Sequence, residues 1–271
     1  MDAHVPQCPS LGRLMIRGWW WCALLASGAA HGAQAAAPTV APALCSPAFI
    51  TAAAASLRHG LAGSDLRDCR ELPSQPGHAA LVLLYPSMGK SMGRPWSWEL
   101  DLAVVNAAGD ILQHLQRKTG NSRDGEQLVG VKLDTARFDL ASGVRALGLR
   151  TERKAAAQQI YGAGMVTTLE LFVAEGTALR SVLRDLEVSA SRGSGDEMDC
   201  GDVQFTVSRV LDLAKGSTRG MRDLTVRTRH VGLSKTRNGQ FCEGFDGKPM
   251  LKSELLRYDG KQYPVPDPDS F

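Results

Sequence analysis

The chain has 271 residues, of which 44% are hydrophobic, 22% charged and only 6% aromatic. That profile belongs to a globular protein and excludes a disordered tail, a collagen-like chain and a multi-span membrane protein. With 31 basic against 28 acidic residues the net charge is +3, too small for the electrostatic footprint of a nucleic-acid binder.

The first element is an address. Arg13-Leu-Met-Ile-Arg17 is a short basic stretch, Gly18 to Ala30 is an apolar run carrying Trp19-Trp20-Trp21, and Ala33-Gln34-Ala35 is a small-x-small end. These parts predict a secretory signal peptide over residues 1–35, cleaved near Ala35, with Met15 a better start than Met1. The apolar run is shorter than the roughly 20 residues that span a bilayer, so no stable membrane span is expected after cleavage. Cys22 follows Trp21 rather than small residues, which argues against a lipid anchor. The expected location is periplasmic or secreted, away from ATP and reduced nucleotides, and no cofactor is expected. Cleavage removes two arginines and one aspartate and leaves 236 residues with a net charge of +2.

Four cysteines remain: Cys45, Cys69, Cys200 and Cys242. An even number in an oxidising compartment predicts two disulfides. Four cysteines allow three pairings, and the local one, Cys45–Cys69 with Cys200–Cys242, is favoured. Each bridge is worth roughly 3–4 kcal/mol by loop entropy. No Cys-x-x-Cys occurs, so neither a redox site nor a zinc knuckle is supported.

Residues 36–44 read as an Ala/Pro linker. Residues 45–76 read as a helical segment pinned by the first disulfide. Ser46-Pro47 supplies an N-cap and a first-turn proline for a helix through Phe49, Ile50, Ala53 and Leu57, ending at Gly60. Residues 77–271 then read as one β-rich domain.

Ala80 to Tyr85 is a buried-strand run. Trp98 to Val105 and Asp110 to Lys118 flank Asn106-Ala-Ala-Gly109, a hairpin signal. Leu128 to Asp134 sets Val129, Val131 and Leu133 against polar or small neighbours. Val144 to Glu152 and Thr167 to Ala174 are further strands.

Leu179, Val182, Leu183 and Leu186 have helical spacing. The preceding Glu175-Gly176 turn and the following Val188 favour a strand. Val203 to Ser208 and Leu224 to Arg227 alternate. Leu255 to Tyr258 and Gln262 to Val265 flank Asp259-Gly260, the strongest turn signal in the chain. The expected fold is mostly β, an antiparallel sandwich or barrel with a short N-terminal helix, with a small degenerate propeller as the alternative.

Thr168-Leu-Glu-Leu-Phe172, Val182-Leu-Arg-Asp-Leu186, Asp199-Cys-Gly201, Arg222-Asp-Leu-Thr-Val226 and Leu256-Arg-Tyr-Asp-Gly260 resemble phrases of uncharacterised secreted proteobacterial β-rich proteins. The resemblance covers roughly residues 80–266 and implies an all-β periplasmic protein with no catalytic motif. Arg257-Tyr-Asp-Gly-Lys-Gln-Tyr263 also resembles final strands of periplasmic β-proteins that bear calcium loops and inhibit lysozyme-like enzymes. The Asp-x-Asp-x-Asp-Gly loop of those proteins is missing here.

Catalytic signals are few. Gly89-Lys90-Ser91 resembles the end of a phosphate-binding loop, but Leu84 stands where the first glycine is needed. No Gly-x-Ser-x-Gly elbow and no His-Glu-x-x-His occurs. Asp196, Glu197, Asp199 and Asp202 offer oxygen ligands around Cys200, but their spacing fits no calcium loop and no metal is expected. Lys215, Arg219, Arg222, Arg227 and Arg229 make a basic stripe suited to an anionic polymer or an acidic partner.

The most suggestive segment runs from Tyr85 to Trp98. It gathers Met88, Met92, Trp96 and Trp98 near one Gly/Pro-rich loop, the composition of an adaptable binding surface. The bland alternative is that the tryptophans plug the core. The expected function is an exported, non-enzymatic binding or inhibitor-like protein of the cell envelope. Its partner is expected to be an envelope protein or a cell-wall polymer. The alternative is an exported hydrolase of an envelope polymer. Whether the chain is an enzyme is left open, leaning to no.

Overall fold

The computed structural model describes residues 42–57, 60–64, 66–88, 95–120, 127–154, 164–194, 203–238 and 241–267. Helix α1 (Pro47–Ala55) starts as its sequence dictates: Ser46 is extended (φ −66°, ψ 156°) and its Oγ accepts the Phe49 N–H at 3.2 Å. It stops at Ala55, short of the expected Gly60. Ser56 and Leu57 donate to the carbonyls of Ala53 and Ala54, which tightens the last turn. Gly60 (φ +60°) has a different task, since its carbonyl accepts the Tyr85 hydroxyl at 2.5 Å.

All the strands belong to one sheet system. β1 (Leu66–Glu71), β2 (His78–Met88), β3 (Pro95–Asn106) and β4 (Ile111–Gly120) form an antiparallel meander. β5 (Gln127–Ala141), β6 (Val144–Lys154), β7 (Met165–Glu175) and β8 (Ala178–Ser194) form a second. The meanders join at one parallel bridge, His114 to Ala178, where the His114 N–H meets the Thr177 carbonyl at 2.9 Å. Their far ends, β1 and β5, meet where Asp68 accepts the Leu133 N–H at 2.9 Å, without a ladder. The sheet therefore folds over on itself as a sandwich and does not close into a barrel. One continuous strand order excludes the propeller alternative.

Between the meanders lies a core that includes Val82, Leu84, Leu100 and Leu102 on one side and Leu133, Leu149 and Phe172 on the other. The outer face of β2 and β3 carries Leu81, Leu83, Ala103 and Val105, and α1 covers it. Cys45–Cys69 (Cα–Cα 5.4 Å) ties the start of that helix to β1. Residues 45–76 are therefore not helical throughout: they also contain β1, which carries the disulfide partner Cys69.

The outer face of β5–β8 is covered instead by strands. β9 (Val203–Thr218) pairs with β10 (Met221–Asn238), whose other side carries β11 (Phe241–Asp246) and β12 (Met250–Leu256). Leu224, Val226 and Leu256 pack there on Leu140, Leu171 and Leu183.

Bulges decide which side chains face in. A register shift between Leu128 and Gly130 turns Val129 outward (38% exposed), so Leu128, Val131 and Leu133 share the core face and the expected Val129 alternation fails. In β8 two shifts opposite Leu169–Phe172, one with Asp185 at φ +56°, place Val182, Leu183 and Leu186 all inside. That produces the helical spacing of apolar residues within a strand.

The Asp259-Gly260 turn forms, with the Asp259 carboxylate accepting the N–H groups of Lys261 and Gln262 at 2.7 Å each. The strand expected after it, Gln262 to Val265, does not pair back onto β12. Tyr263 is drawn into the core instead, its N–H bonded to the Val182 carbonyl (2.7 Å) and its hydroxyl to the Arg222 carbonyl (2.6 Å).

Candidate functional site

Of the four residues proposed for binding, Trp98 is a core side chain at 5% exposure between the two meanders, with its indole N–H unpartnered. Met92 and the side chains of Met88 and Trp96 lie outside the described residues, as do Gly89-Lys90-Ser91, the Asp196–Asp202 cluster, Cys200 and the side chain of Cys242. The basic stripe divides. Arg219 bonds the Asp259 carbonyl, and Arg227 is clamped by Asp212 at 2.6 and 2.8 Å. Lys215, Arg222 and Arg229 are exposed, but a register shift between Arg222 and Leu224 breaks them out of one row.

A wider opening lies elsewhere, between β5 and β9. It encloses about 500 Å³, within the range of small-molecule and peptide sites. Phe138, Leu169 and Val188, at 6%, 1% and 5% exposure, form its apolar floor. One wall is the stretch of β5 from Asp134 to Phe138, where five residues face three of β6. Asp134 stabilises this bulge by accepting the Ala136 N–H at 3.0 Å and by holding Arg150 at 2.7 and 2.8 Å. Gly148 opposite must be glycine, since a Cβ there would lie 2.8 Å from Asp134 Cβ and 3.0 Å from its carbonyl.

The other wall is Arg209–Leu213 of β9. Arg209 points inward from a row that otherwise reads Val207, Leu211, Leu213, and is buried because it donates to the Glu187 carbonyl (3.0 Å) and carboxylate (3.1 Å). Val210 is 52% exposed at the rim. Asp134, Asp212 and Glu187 each have an arginine partner, whereas the exposed Arg137 makes no hydrogen bond or ion pair among the described residues. The cleft is thus apolar below and carries one uncompensated cation above. Two sequence signals pointed to it and were missed: an arginine on the inward parity of β9, and the break in alternation at Asp134-Thr-Ala-Arg-Phe138.

Two further polar groups are built into the sheet. Arg117 makes a two-pronged ion pair with Glu170 (Nη1–Oε1 2.7 Å) and lies 5.6 Å over the Phe172 ring, beside a cavity of only about 30 Å³. His114 Nε2 lies 3.1 Å from Oδ1 of Asp101, a carboxylate at 1% exposure. This is how a base and its orienting acid are arranged, but no described hydroxyl or thiol bonds to the imidazole, so the dyad has no nucleophile among the described residues. The Asp101 charge has a second effect. Together with burial, the larger cause, it pushes the Tyr85 hydroxyl up to about 12. No group of three or more His, Cys, Asp or Glu side chains is placed to hold a metal among the described residues, and no helix there is long and apolar enough to cross a membrane. Compared with protein-family models, curated proteins and solved structures, the chain matches none.

Proposed function

We propose that this chain is an exported, non-enzymatic binding protein of the cell envelope and that the β5/β9 cleft is its binding site. One observation carries the reading: an open cleft of about 500 Å³ with a buried apolar floor and, on its wall, an arginine that has no ion pair among the described residues. Its charged groups, apart from Arg137, are committed to ion pairs that shape its walls, which is the economy of a recognition surface. Export is supported by the signal-like residues 13–35 and by the Cys45–Cys69 disulfide, which persists in oxidising compartments. The partner class is an envelope protein or a cell-wall polymer.

Two measurements test this. Residues 1–35 fused to alkaline phosphatase should give an active, exported reporter, and an inactive cytosolic fusion would remove the location. A benzophenone side chain placed at Val210 in living cells should give one discrete photo-adduct. The same group at Ala108, in the turn between β3 and β4, should give none. Failure of the Val210 adduct to form removes the cleft as the binding site.

A further inference from the structure

The layer that covers β5–β8 ends at β12. Its ladder to β10 is regular over all seven residues, from Leu224 opposite Leu256 to His230 opposite Met250. No strand among the described residues pairs with its other side. Leu256 enters the core beside Leu224 and Val226, so the even-numbered residues of β12 face the sheet below, and Leu251, Ser253 and Leu255 face outward. Seven large apolar side chains are exposed among the described residues, and three of them, Met250, Leu251 and Leu255, lie on this one short strand. Leu251 is 77% exposed and Leu255 49%. Neither a bulge nor a proline interrupts the strand. An apolar edge of this kind is a template for pairing with another strand.

The charges on the edge decide what it admits. Lys252 and Glu254 bond to each other within the strand at 3.3 Å. Against an unrelated strand, two charges deter pairing. Against an antiparallel copy of β12 they are complementary. A two-fold axis through Ser253 sets Lys252 opposite the partner's Glu254, and Glu254 opposite the partner's Lys252. The same axis sets Leu251 opposite the partner's Leu255, and Leu255 opposite the partner's Leu251. All seven residues are then matched, and the two ion pairs join into a ring of alternating charge. Moving the axis one residue, to Lys252 or to Glu254, sets like charges face to face. Moving it half a residue either way sets a leucine against a charged residue.

We infer that the chain forms a two-fold dimer by antiparallel pairing of β12 with β12 of a second copy, joining their outer layers into one continuous sheet. Main-chain hydrogen bonds along the edge and the two outward leucine pairs supply the affinity, and the order of Lys252 and Glu254 supplies the register. β9 lies on the other side of β10, so the β5/β9 cleft of each copy stays outside the interface. The dimer does not depend on the binding role proposed for that cleft.

The test is sedimentation velocity of the full chain from about 1 to 100 μM, where a reversible monomer–dimer equilibrium is expected. Lys252→Glu and Glu254→Lys should each weaken the dimer about tenfold, since each sets two like-charge pairs across the axis. Both variants lose the ion pair within the strand, yet mixing them in equal amounts should restore dimerisation, because every charge across the axis then meets its opposite. Ser253→Cys should give a covalent dimer on oxidation at a level above the wild-type chain, because directly opposed residues bring their Cα atoms within disulfide range. Arg227→Cys, one strand inward in the same row, should not. An unchanged circular dichroism spectrum keeps the variants comparable. A chain that stays monomeric at the highest concentration overturns the proposal. A dimer that the charge variants and their mixture leave unaltered, with no Ser253→Cys adduct, places the interface elsewhere and overturns it too. Slow hydrogen exchange along both sides of β12 in a monomeric sample would assign the edge to another segment of the same chain, which also overturns the dimer.

Discussion

The two outer faces of the folded sheet are covered in different ways, and the difference locates the site. Over β2 and β3 the cover is a nine-residue helix whose Ala53 and Ala54 lie flat on Leu81 and Leu83, all at 0% exposure. Over β5–β8 the cover is a layer of strands that leaves Leu211 and Leu213 half-buried and a cleft beside them. A helix satisfies its own backbone and can close a face without creating an edge. A strand layer satisfies its backbone only through neighbours, so it must end somewhere in an unpaired edge. The sealed cover is the one stapled locally, across 24 residues. The open one is assembled from distant parts of the chain.

This contrast can be broken first at the helix. Phe49 is 1% exposed between α1 and the sheet, and Phe49→Ala should cost about 3–5 kcal/mol in urea unfolding. A loss below about 1 kcal/mol would mean that the helix is a dispensable cap. Next comes its staple. Replacing Cys45 and Cys69 together with alanine should remove about 3 kcal/mol and raise hydrogen exchange in α1 and β1 while β10 stays protected. Uniform deprotection would show that the two covers unfold as one unit.

At the strand cover the expected effect is smaller. Tyr263→Phe deletes the bond to the Arg222 carbonyl and should cost about 1 kcal/mol. Because Phe49 and Tyr263 belong to separate cores, the double variant should be additive. Coupling of 1 kcal/mol or more would contradict that separation.

At neutral pH the last effect is absent. The Tyr85 hydroxyl is held up to about 12, and burial, ahead of Asp223 and Tyr258, raises that of Tyr263 as well. A tyrosine that ionises later in the folded state than in the unfolded one binds more protons when folded. Its contribution is therefore fully present below the ordinary value near 10 and is lost as the pH rises toward 12. Stability should be flat to about pH 9 and fall above 10, more shallowly in Tyr85→Phe. Absorbance at 295 nm would check the sign directly, since two tyrosines should resist ionisation until the chain unfolds.

What could be read from residues alone was what short-range physics controls. Ser46-Pro47 starts a helix because a hydroxyl and a proline suit the first unpaired N–H groups. Asn106-Ala-Ala-Gly109 and Asp259-Gly260 turn because Asn and Asp side chains cap the backbone locally. Alternating apolar residues mark most strands, and cysteine proximity identified Cys45–Cys69. Parity was legible only until a bulge intervened: Val129 faces outward against its expected alternation, and in β8 the turn before and Val188 after marked a strand although the bulges gave its apolar residues a helical spacing. The Tyr85–Trp98 segment attracted notice by composition, yet Trp98 is a core residue.

The site itself belongs to the tertiary structure. Arg137 and Arg209 are 72 positions apart, and although the inward parity of Arg209 marks a buried charge, nothing near either arginine in sequence says what it faces. Only the β5 bulge and the departure of β8 from β9 after Ser208 set them on facing walls of one cleft. Strand adjacency is a long-range choice, decided by which apolar faces bury one another, and no local pattern encodes it.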